Sequence, residues 1–391
     1  MKTKILLAVL ASVFFMAACE KEYLTDENDP TPIQKSAVMG EGTIVSNIVH
    51  FSSLEGNILD DPADRKVNVY LPKSYFTCPE KHFPVIYFLH GTPSWSDMLL
   101  DPLPFEYFFQ AAGLQAPVDF PEEGFLAWLN NLIDNEGMKE VIIVMPDAKA
   151  KYGPSMYVNS STQGNYEDYI VDELVSYIDQ NYRTIAHFNW RSISGHCAGA
   201  YGALNAAMKH PKVFRYVGAL SPPHFPAPLL QYLTGFIALE DQMWGVDGPL
   251  PYDPQAPFKF ANNGAYNLSQ AWLPNPENPP YYCDLPLDYV DGNWLPNTEN
   301  LAKWDSQSLM VLAEQYRTEL KQLKTVYFDC GTNDDLGMYQ SNVMFHKQLE
   351  AMHIKHQFET YSNPGTHISN LYERLGMVWT MLSNDFPEYE D

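Results

Sequence analysis

Two periods of apolar residues alternate along most of the chain. Seven short segments are apolar throughout or at every second position, a pattern that predicts β-strands. They are RKVNVYLP (65–72), FPVIYFLHG (83–91), VIIVMPD (141–147), WRSISG (190–195), YVGALS (216–221), TVYFDCG (325–331) and HQFETYS (356–362). Within 164–182, 198–210 and 342–352, the spacing and composition of the apolar residues predict helices. Alternating strands and helices predict an α/β fold with a mostly parallel central sheet and helices on both faces.

The segment 222–300 does not follow this alternation. It is rich in proline and asparagine, and it carries Trp244, Trp272 and Trp294. A stretch of this length without a regular pattern is unusual in a compact domain unless it forms a lid or a binding insertion. We therefore predict an inserted cap over the sheet, whose tryptophan rings either contact substrate or pack the insertion itself.

The first 18 residues have the layout of an export signal. The basic MKTK precedes an apolar run of 14 residues, too short to span a bilayer, and the run leads into MAAC. This ending resembles a bacterial lipobox, which implies cleavage before Cys19 and lipidation of that residue. We predict a lipoprotein signal peptide at 1–18, an acidic flexible tether at 19–40 and a folded domain at 41–391. The alternative is a plain secretory signal in which Cys19 is incidental.

Charge narrows the range of ligands. The formal net charge of −24 becomes −26 once residues 1–18, which include Lys2 and Lys4, are removed. Such an acidic surface argues against nucleic acid and fits a neutral ligand such as a glycan.

The sequence has no metal-ligand spacing and no phosphate-binding glycine loop, so no metal or other cofactor is predicted. Of Cys78, Cys197, Cys283 and Cys330, at most one pair can form a disulfide if Cys197 stays free.

The stretch GHCAG at 195–199 has the G-x-S-x-G form of a nucleophile elbow, with cysteine in the place of serine. In such an elbow a sharp turn between a strand and a helix projects the nucleophile, and the residues two before and two after it must be small. Gly195 and Gly199 meet that requirement. A thiolate is a competent nucleophile, and its pKa falls beside a histidine and at a helix N-terminus. We therefore predict that Cys197 is the nucleophile.

An acid and a histidine follow the elbow, each after a late predicted strand. CGTNDDL (330–336) offers Asp334, with Asp335 as a rival, and NPGTHIS (363–369) offers His367. Loops at the carboxyl ends of parallel strands are where such partners meet. The backbone N–H groups of Ala198 and Thr92 are the predicted oxyanion donors.

Two other histidines are given different interpretations. His90 follows the second predicted strand and is expected to bond nearby backbone. His196 precedes the nucleophile and is expected to point away from it.

These segments, in this order, resemble the esterase D and feruloyl-esterase-like branch of the α/β hydrolases. The resemblance runs from about residue 41 to the end and includes FPVIYFLHG, the elbow, CGTNDDL and PGTH. It implies an α/β-hydrolase fold and an ester hydrolase that often acts on acyl groups of plant polysaccharides. It also implies that Cys197, Asp334 and His367 occupy the triad positions. Cys197 and Ala200 depart from the serine and glycine that are usual in this family.

The expected protein is a membrane-anchored carboxylic ester hydrolase with a Cys–His–Asp triad, exported to the periplasm or the cell surface of a bacterium. Its expected substrate is an acetylated or feruloylated carbohydrate, with Trp244, Trp272 and Trp294 as candidate substrate-binding residues. Two alternatives use the same scaffold. One is a glycan-binding lipoprotein without catalytic activity, and the other is an acyltransferase.

Overall fold

One eight-stranded sheet organises the molecule. The computed structural model describes residues 41–91, 96–101, 119–224, 237 and 260–388. In chain order the strands are β1 (Thr43–His50), β2 (Asp64–Leu71), β3 (Val85–Leu89), β4 (Ile142–Pro146), β5 (Arg191–His196), β6 (Tyr216–Leu220), β7 (Thr325–Gly331) and β8 (Gln357–Tyr361). Their order in the sheet is β1-β2-β4-β3-β5-β6-β7-β8.

Strand direction divides the sheet into two parts. β1 and β2 are antiparallel to their neighbours, and all other pairs are parallel. β5 lies between β3 and β6, and Gly195 on β5 is paired with Leu89 and with Ala219. The carboxyl ends of the parallel strands therefore meet at one edge, where α/β proteins build their sites.

Helices cover both faces. They are α1 (Phe125–Asn135), α2 (Tyr166–Asp168, continued by a π-helical Tyr169–Leu174 and by Val175–Asn181), α3 (Ala198–Lys209), α4 (Phe260–Trp272), α5 (Thr298–Asp305), α6 (Leu309–Gln315), α7 (Tyr339–Ala351) and α8 (Leu371–Asp385). Single helical turns lie at Ser52–Leu54, Ser74–Thr77, Phe188–Trp190 and Arg317–Leu320.

The two faces form separate cores. Side chains of α2, α3, α6 and α7 pack on one face, and those of α1 and α8 pack on the other. β3 contributes to both cores, because Tyr87 and Leu89 face one way while Ile86 and Phe88 face the other. This burial on two sides explains why the sequence of β3 is a continuous apolar run.

The described part of segment 222–300 contains α4, the start of α5 and a hairpin formed by Leu287–Val290 and Asn293–Pro296. Two minor hairpins pair Lys149–Ala150 with Gly153–Pro154 and Asn159–Ser160 with Gly164–Asn165. The predicted signal, tether and Cys19 lie outside the described residues, as do Thr92 and Trp244. In the described ranges no helix combines the length and the hydropathy needed to cross a membrane. Cys78, Cys197, Cys283 and Cys330 are free thiols.

Candidate active site

Cys197 occupies the sharp turn between β5 and α3. Its backbone has φ 55° and ψ −124°, a region that non-glycine residues rarely adopt and that is favoured at functional sites. A Cβ on Gly195 would lie 2.3 Å from the carbonyl oxygen of Gly199, and one on Gly199 would lie 1.9 Å from that of Leu89. Only glycine fits at both positions. The turn is therefore packed as a nucleophile elbow must be.

His367 and Asp334 form a buried pair at the same edge of the sheet. Nδ1–H of His367 donates to Oδ2 of Asp334 over 2.7 Å, and both side chains are fully buried. Oδ1 of Asp334 accepts the backbone N–H groups of Leu336 at 3.0 Å and Met338 at 3.2 Å. The carboxylate is thus fixed by two backbone donors while its other oxygen orients the imidazole.

The two acids that the sequence left as rivals have different partners. Asp334 binds the ring of His367, whereas Oδ1 of Asp335 accepts the backbone N–H of His367 at 3.0 Å. Asp335 therefore holds the loop and Asp334 holds the imidazole of His367. This assignment depends on which carboxylate points inward, a property that two adjacent aspartates in a turn do not reveal in sequence.

Electrostatics link the pair to the cysteine. Burial lowers the pKa of His367, but the charge of Asp334, the nearby Cys197 sulfur and the hydrogen bond to Asp334 outweigh burial and raise it above its ordinary value. Burial raises the pKa of Asp334, and the opposing effects of His367 and of its two backbone donors leave it lower than usual. His367 thus lies between Cys197, which acts on its pKa, and Asp334, to which it donates a hydrogen bond. The negative charge of Asp334 therefore favours the charged form of the imidazole.

The region for an oxyanion lies at the start of α3. Because Ala198 is the first helical residue, the helix provides no carbonyl partner for its N–H. A Cβ on Gly91 would lie 3.0 Å from that of Cys197, so the chain after β3 passes directly beside Cys197. Thr92, the second predicted donor, is the next residue and lies outside the described ranges.

The two flanking histidines have structural partners. Nε2 of His90 accepts the N–H of Ala148 at 3.0 Å, which leaves Nδ1–H to donate to the carbonyl of Gly91 at 3.0 Å. Nε2–H of His196 donates to the carbonyl of His367 at 3.1 Å. Burial first, then the positive charges of His367 and Arg374, lower the pKa of His196 well below its ordinary value. His196 is therefore a neutral donor and not the base.

The predicted substrate-binding tryptophans have different environments. Trp272 is 6% exposed and packs in the main core, with ring centroids 5.5 Å from Tyr201 and 5.1 Å from Trp304. Its prediction as a substrate-binding residue is wrong, because the ring is covered by the molecule itself. Trp294 lies on the hairpin, with its ring 5.3 Å from that of Tyr289.

Trp294 and Tyr289 line an open cleft of about 590 Å³ beside that hairpin. The cleft combines aromatic rings with carboxylates and carboxamides. Its other lining residues are Asn278, Asp284, Leu285, Leu287, Asp288, Asn297 and Asn300. Asn278 donates to Asp284 at 3.2 Å, and Asn297 donates to both oxygens of Asp288 at 3.1 Å. Both carboxylates are therefore held in fixed orientations at the cleft.

Sequence reasoning missed a buried ion pair beneath the His367 loop. Nη2 of Arg374 donates to Oδ1 of Asp329 at 2.5 Å, and both residues are buried. Asp329 was detectable as an acid within the otherwise apolar strand TVYFDCG. Such a residue needs a buried partner, and sequence alone does not identify which one. Across the described ranges no cluster of three or more His, Cys, Asp or Glu residues could hold a metal ion.

Comparison with solved structures shows a shared fold. A ferulic acid esterase shares 18% identity and a TM-score of 0.53, covering 88% of this chain and 100% of that chain. An S-formylglutathione hydrolase from Staphylococcus aureus shares 19% identity and a TM-score of 0.53, with the same coverage. At such identities the likeness shows the fold, and it confirms the predicted α/β-hydrolase architecture.

Sequence relatives agree as well. Esterase Rv1288 of Mycobacterium tuberculosis is 28% identical over 158 residues, which is 40% of this chain and 29% of that protein. The chain thus spans less than a third of that curated relative. The Esterase family model matches residues 62–372, more than half of the chain. The chain therefore belongs to the Esterase family, as its resemblance to esterase D and feruloyl esterases predicted, and its scaffold is that of a carboxylic ester hydrolase.

Proposed function

We propose that this protein is a carboxylic ester hydrolase whose nucleophile is the Cys197 thiolate. The observation that carries the proposal is the placement of Cys197 on a strained elbow near His367, whose buried ring donates to the buried carboxylate of Asp334. A pseudoenzyme that had lost its serine would have no reason to retain an acid bonded to its base. Retention of this acid–base pair near the cysteine favours catalysis over a binding role alone.

The first half of the reaction transfers the acyl group to sulfur. Sγ of Cys197 attacks the ester carbonyl carbon, and the oxyanion that forms is stabilised by the N–H of Ala198 and, by proposal, that of Thr92. The carbon–oxygen bond then breaks. The leaving alcohol takes its proton from Nε2 of His367, and the acyl group remains as a thioester on Cys197.

The second half returns the enzyme to its starting state. Nε2 of His367 takes a proton from water, and the water oxygen attacks the thioester carbon. The carbon–sulfur bond breaks, the carboxylic acid leaves, and the thiolate and imidazolium are restored. Asp334 keeps Nδ1–H of His367 in place in both halves, so that Nε2 always faces the reacting groups.

Kinetics with aryl acetate and aryl ferulate esters test this chemistry. The wild type is expected to turn over one of these esters, and Cys197→Ala is expected to fall to the rate of the uncatalysed reaction. Cys78→Ala is the matched control, because Cys78 is an exposed free thiol. Equal background rates in the wild type and Cys197→Ala would instead leave the glycan-binding alternative. Acyl transfer to an added sugar in preference to water would indicate the acyltransferase.

For the substrate, we propose an ester of a neutral carbohydrate. Support comes from the acidic chain, which suits an uncharged ligand, and from the cleft of Trp294 and Tyr289 with its oriented carboxylates. Aromatic faces pack against the apolar face of a sugar ring, and carboxylates accept its hydroxyl hydrogens. One fold neighbour is named as a ferulic acid esterase, which makes a feruloylated sugar the first ester to test.

Comparing two variants of the same hairpin tests this substrate class. Trp294→Ala is expected to raise KM for a feruloylated oligosaccharide by on the order of tenfold, while KM for a small aryl ester stays unchanged. Leu295→Ala is the matched control, because Leu295 is 48% exposed and lies outside the cleft. If Trp294→Ala and Leu295→Ala have equal KM values with both esters, the cleft does not bind the substrate.

We also propose that the mature protein is exported and anchored to a bacterial membrane through lipidated Cys19. Support comes from the sequence MAAC after an apolar run of 14 residues. An acidic spacer at 20–40 would then hold the enzyme away from the bilayer.

A further inference from the structure

Three buried side chains converge on a single backbone carbonyl, that of His367. Nε2–H of His196 reaches it at 3.1 Å, the hydroxyl of Ser221 at 3.4 Å and Nη1 of Arg374 at 3.5 Å. The three donors are 0%, 0% and 5% exposed. We call His196, Ser221 and Arg374 the carbonyl anchor. It fixes the main chain of the residue whose ring is the proposed base.

The carbonyl anchor joins the base to the elements that carry the nucleophile. His196 is the last residue of β5 and immediately precedes Cys197. Ser221 follows β6, and the carbonyl just before it, that of Leu220, accepts the N–H of Cys197 at 3.0 Å. The main chains of Cys197 and His367 are therefore tied to the same two strand ends. A shift of either strand end would change the distance between the sulfur and the imidazole.

Arg374 is itself held by several hydrogen bonds and by contact with an aromatic ring. Its Nε and Nη2 donate to the two oxygens of Asp329 at 3.0 and 2.5 Å, and Nη2 also donates to Ser221 at 2.9 Å. Asp329 in turn accepts the backbone N–H of Ser221 at 3.1 Å. The guanidinium carbon lies 4.1 Å from the ring centroid of Tyr361. A fork of this kind leaves the arginine little freedom.

Global stability alone does not explain this pair. Burying two charges costs desolvation that their attraction only partly offsets, and a well-packed apolar pair is often as stable. A bidentate buried pair fixes the orientation of both side chains. Here it fixes the guanidinium of Arg374, which donates to Ser221 and to the carbonyl of His367.

We propose that His196, Ser221 and Arg374 are positioning residues that set the distance between Nε2 of His367 and Sγ of Cys197. The inference rests on the proposed function, because it assigns a role within the same site. Tight positioning matters there, since a misplacement of about 1 Å between reacting groups costs on the order of a hundredfold in rate.

The test uses two variants of the carbonyl anchor and one control. Ser221→Ala removes a single hydroxyl, and Arg374→Lys keeps the charge but removes the fork. Arg191→Lys is the matched control, because Arg191 forms a buried pair with Asp179 at 2.6 Å at the opposite end of β5. Three readouts are taken for each protein: kcat and KM for an aryl ester, the pH dependence of Cys197 alkylation by iodoacetamide, and the melting temperature. Peptide mapping separates Cys197 from the exposed Cys78.

Ser221→Ala and Arg374→Lys are expected to lower kcat by on the order of tenfold to a hundredfold with little change in KM. The midpoint of their alkylation profile is expected to move to higher pH, because a displaced imidazole stabilises the thiolate less. Arg191→Lys is expected to lower the melting temperature without moving that midpoint.

If Ser221→Ala and Arg374→Lys both keep the alkylation midpoint and the kcat of the wild type, the inference is overturned, whatever happens to the melting temperature. The same holds if Arg191→Lys shifts the midpoint equally. Failure of the proposed function gives a different result: the wild type itself would then hydrolyse no ester, and its Cys197 would react no faster than it does in His367→Ala.

Discussion

At the scale of single residues, the site differs from a serine elbow at the proposed nucleophile, Cys197. Cys197 brings a larger and more acidic group to a turn shaped by Gly195 and Gly199. Its partner His367 has a raised pKa because a carboxylate and the cysteine flank it, in spite of burial. A serine site needs a neutral imidazole to remove a hydroxyl proton. A thiolate–imidazolium pair is already charged, and the raised pKa of His367 suits that second case.

Replacing Asp334 and Asp335 in separate variants distinguishes their roles. Asp334→Asn is expected to lower kcat by on the order of a hundredfold or more, because the amide can no longer stabilise the imidazolium. Asp335→Asn is expected to have a small effect, since its amide oxygen can still accept the backbone N–H of His367. Steady-state kinetics on both variants check this. A larger loss in Asp335→Asn would reverse the assignment.

At the scale of elements, the elbow depends on how closely α3 approaches β3. Gly199→Ala is expected to destabilise the fold by about 3 kcal/mol or more, because the new methyl group would overlap the carbonyl of Leu89. Gly264→Ala is the matched control. Gly264 lies in α4, and a Cβ added there would have open space around it to 4 Å, so alanine is expected to stabilise by about 1 kcal/mol. Denaturant unfolding measures both, and equal effects would contradict the close-packed elbow.

The sequence predicted most of the sheet, because buried strands are short apolar runs with clear ends. All seven predicted strands are present, and TVYFDCG coincides with β7 at both ends. β1 was missed, since the edge strand Thr43–His50 has only partly buried and exposed residues and Ile48 is 71% exposed. α8 was missed although it carries Arg374, because its apolar face is interrupted by polar residues that bond within the core.

The residues of the candidate site also fall into those with a local sequence signature and those without one. Cys197 and His367 could be proposed from the sequence, because an elbow and a histidine after the last strand have local signatures. Arg374 and Ser221 could not, because their importance comes from contacts between segments distant in sequence. Trp272 was misassigned for the same reason: its burial depends on Tyr201 and Trp304, and composition does not show which rings face inward.

At the scale of the whole molecule, buried histidines make stability depend on pH. Burial lowers the pKa of His224 to about 4, against a partly offsetting hydrogen bond with Asn342. The folded pKa is therefore below the unfolded value of about 6.5, so the unfolded chain binds this proton more readily between pH 6.5 and 4. The contribution of His224 to stability is present above pH 6.5 and is lost as the pH falls through that window.

A variant that cannot titrate isolates this contribution. His224→Gln can still bond Asn342, and its unfolding free energy is expected to fall less steeply than that of the wild type as the pH drops from 6.5 to 4. Over the window the unfolding free energies of the two proteins should diverge by about 3 kcal/mol. Comparison with the wild type removes the effects of other groups, such as Asp61, whose pKa burial raises to about 6. Parallel curves would show that His224 does not carry the dependence.

The proposed lipid anchor at Cys19 is tested on the whole protein. Full-length protein expressed in a bacterium is expected to partition into the detergent phase of Triton X-114, and Cys19→Ser is expected to move it to the aqueous phase, because the acyl chains are lost. Cys78→Ser is expected to partition as the wild type does. Aqueous partitioning of the wild type would favour the plain secretory signal.

The central claim is that Cys197 carries the acyl group during turnover. Intact-mass spectrometry within the first turnovers of an aryl ester tests it most directly. We predict that the wild type gains the mass of one acyl group, that peptide mapping places it on Cys197, and that hydroxylamine removes it as it does a thioester. His367→Ala should accumulate little of this adduct. Ester turnover by the wild type with no acyl mass on Cys197, or turnover that persists in Cys197→Ala, would contradict the account.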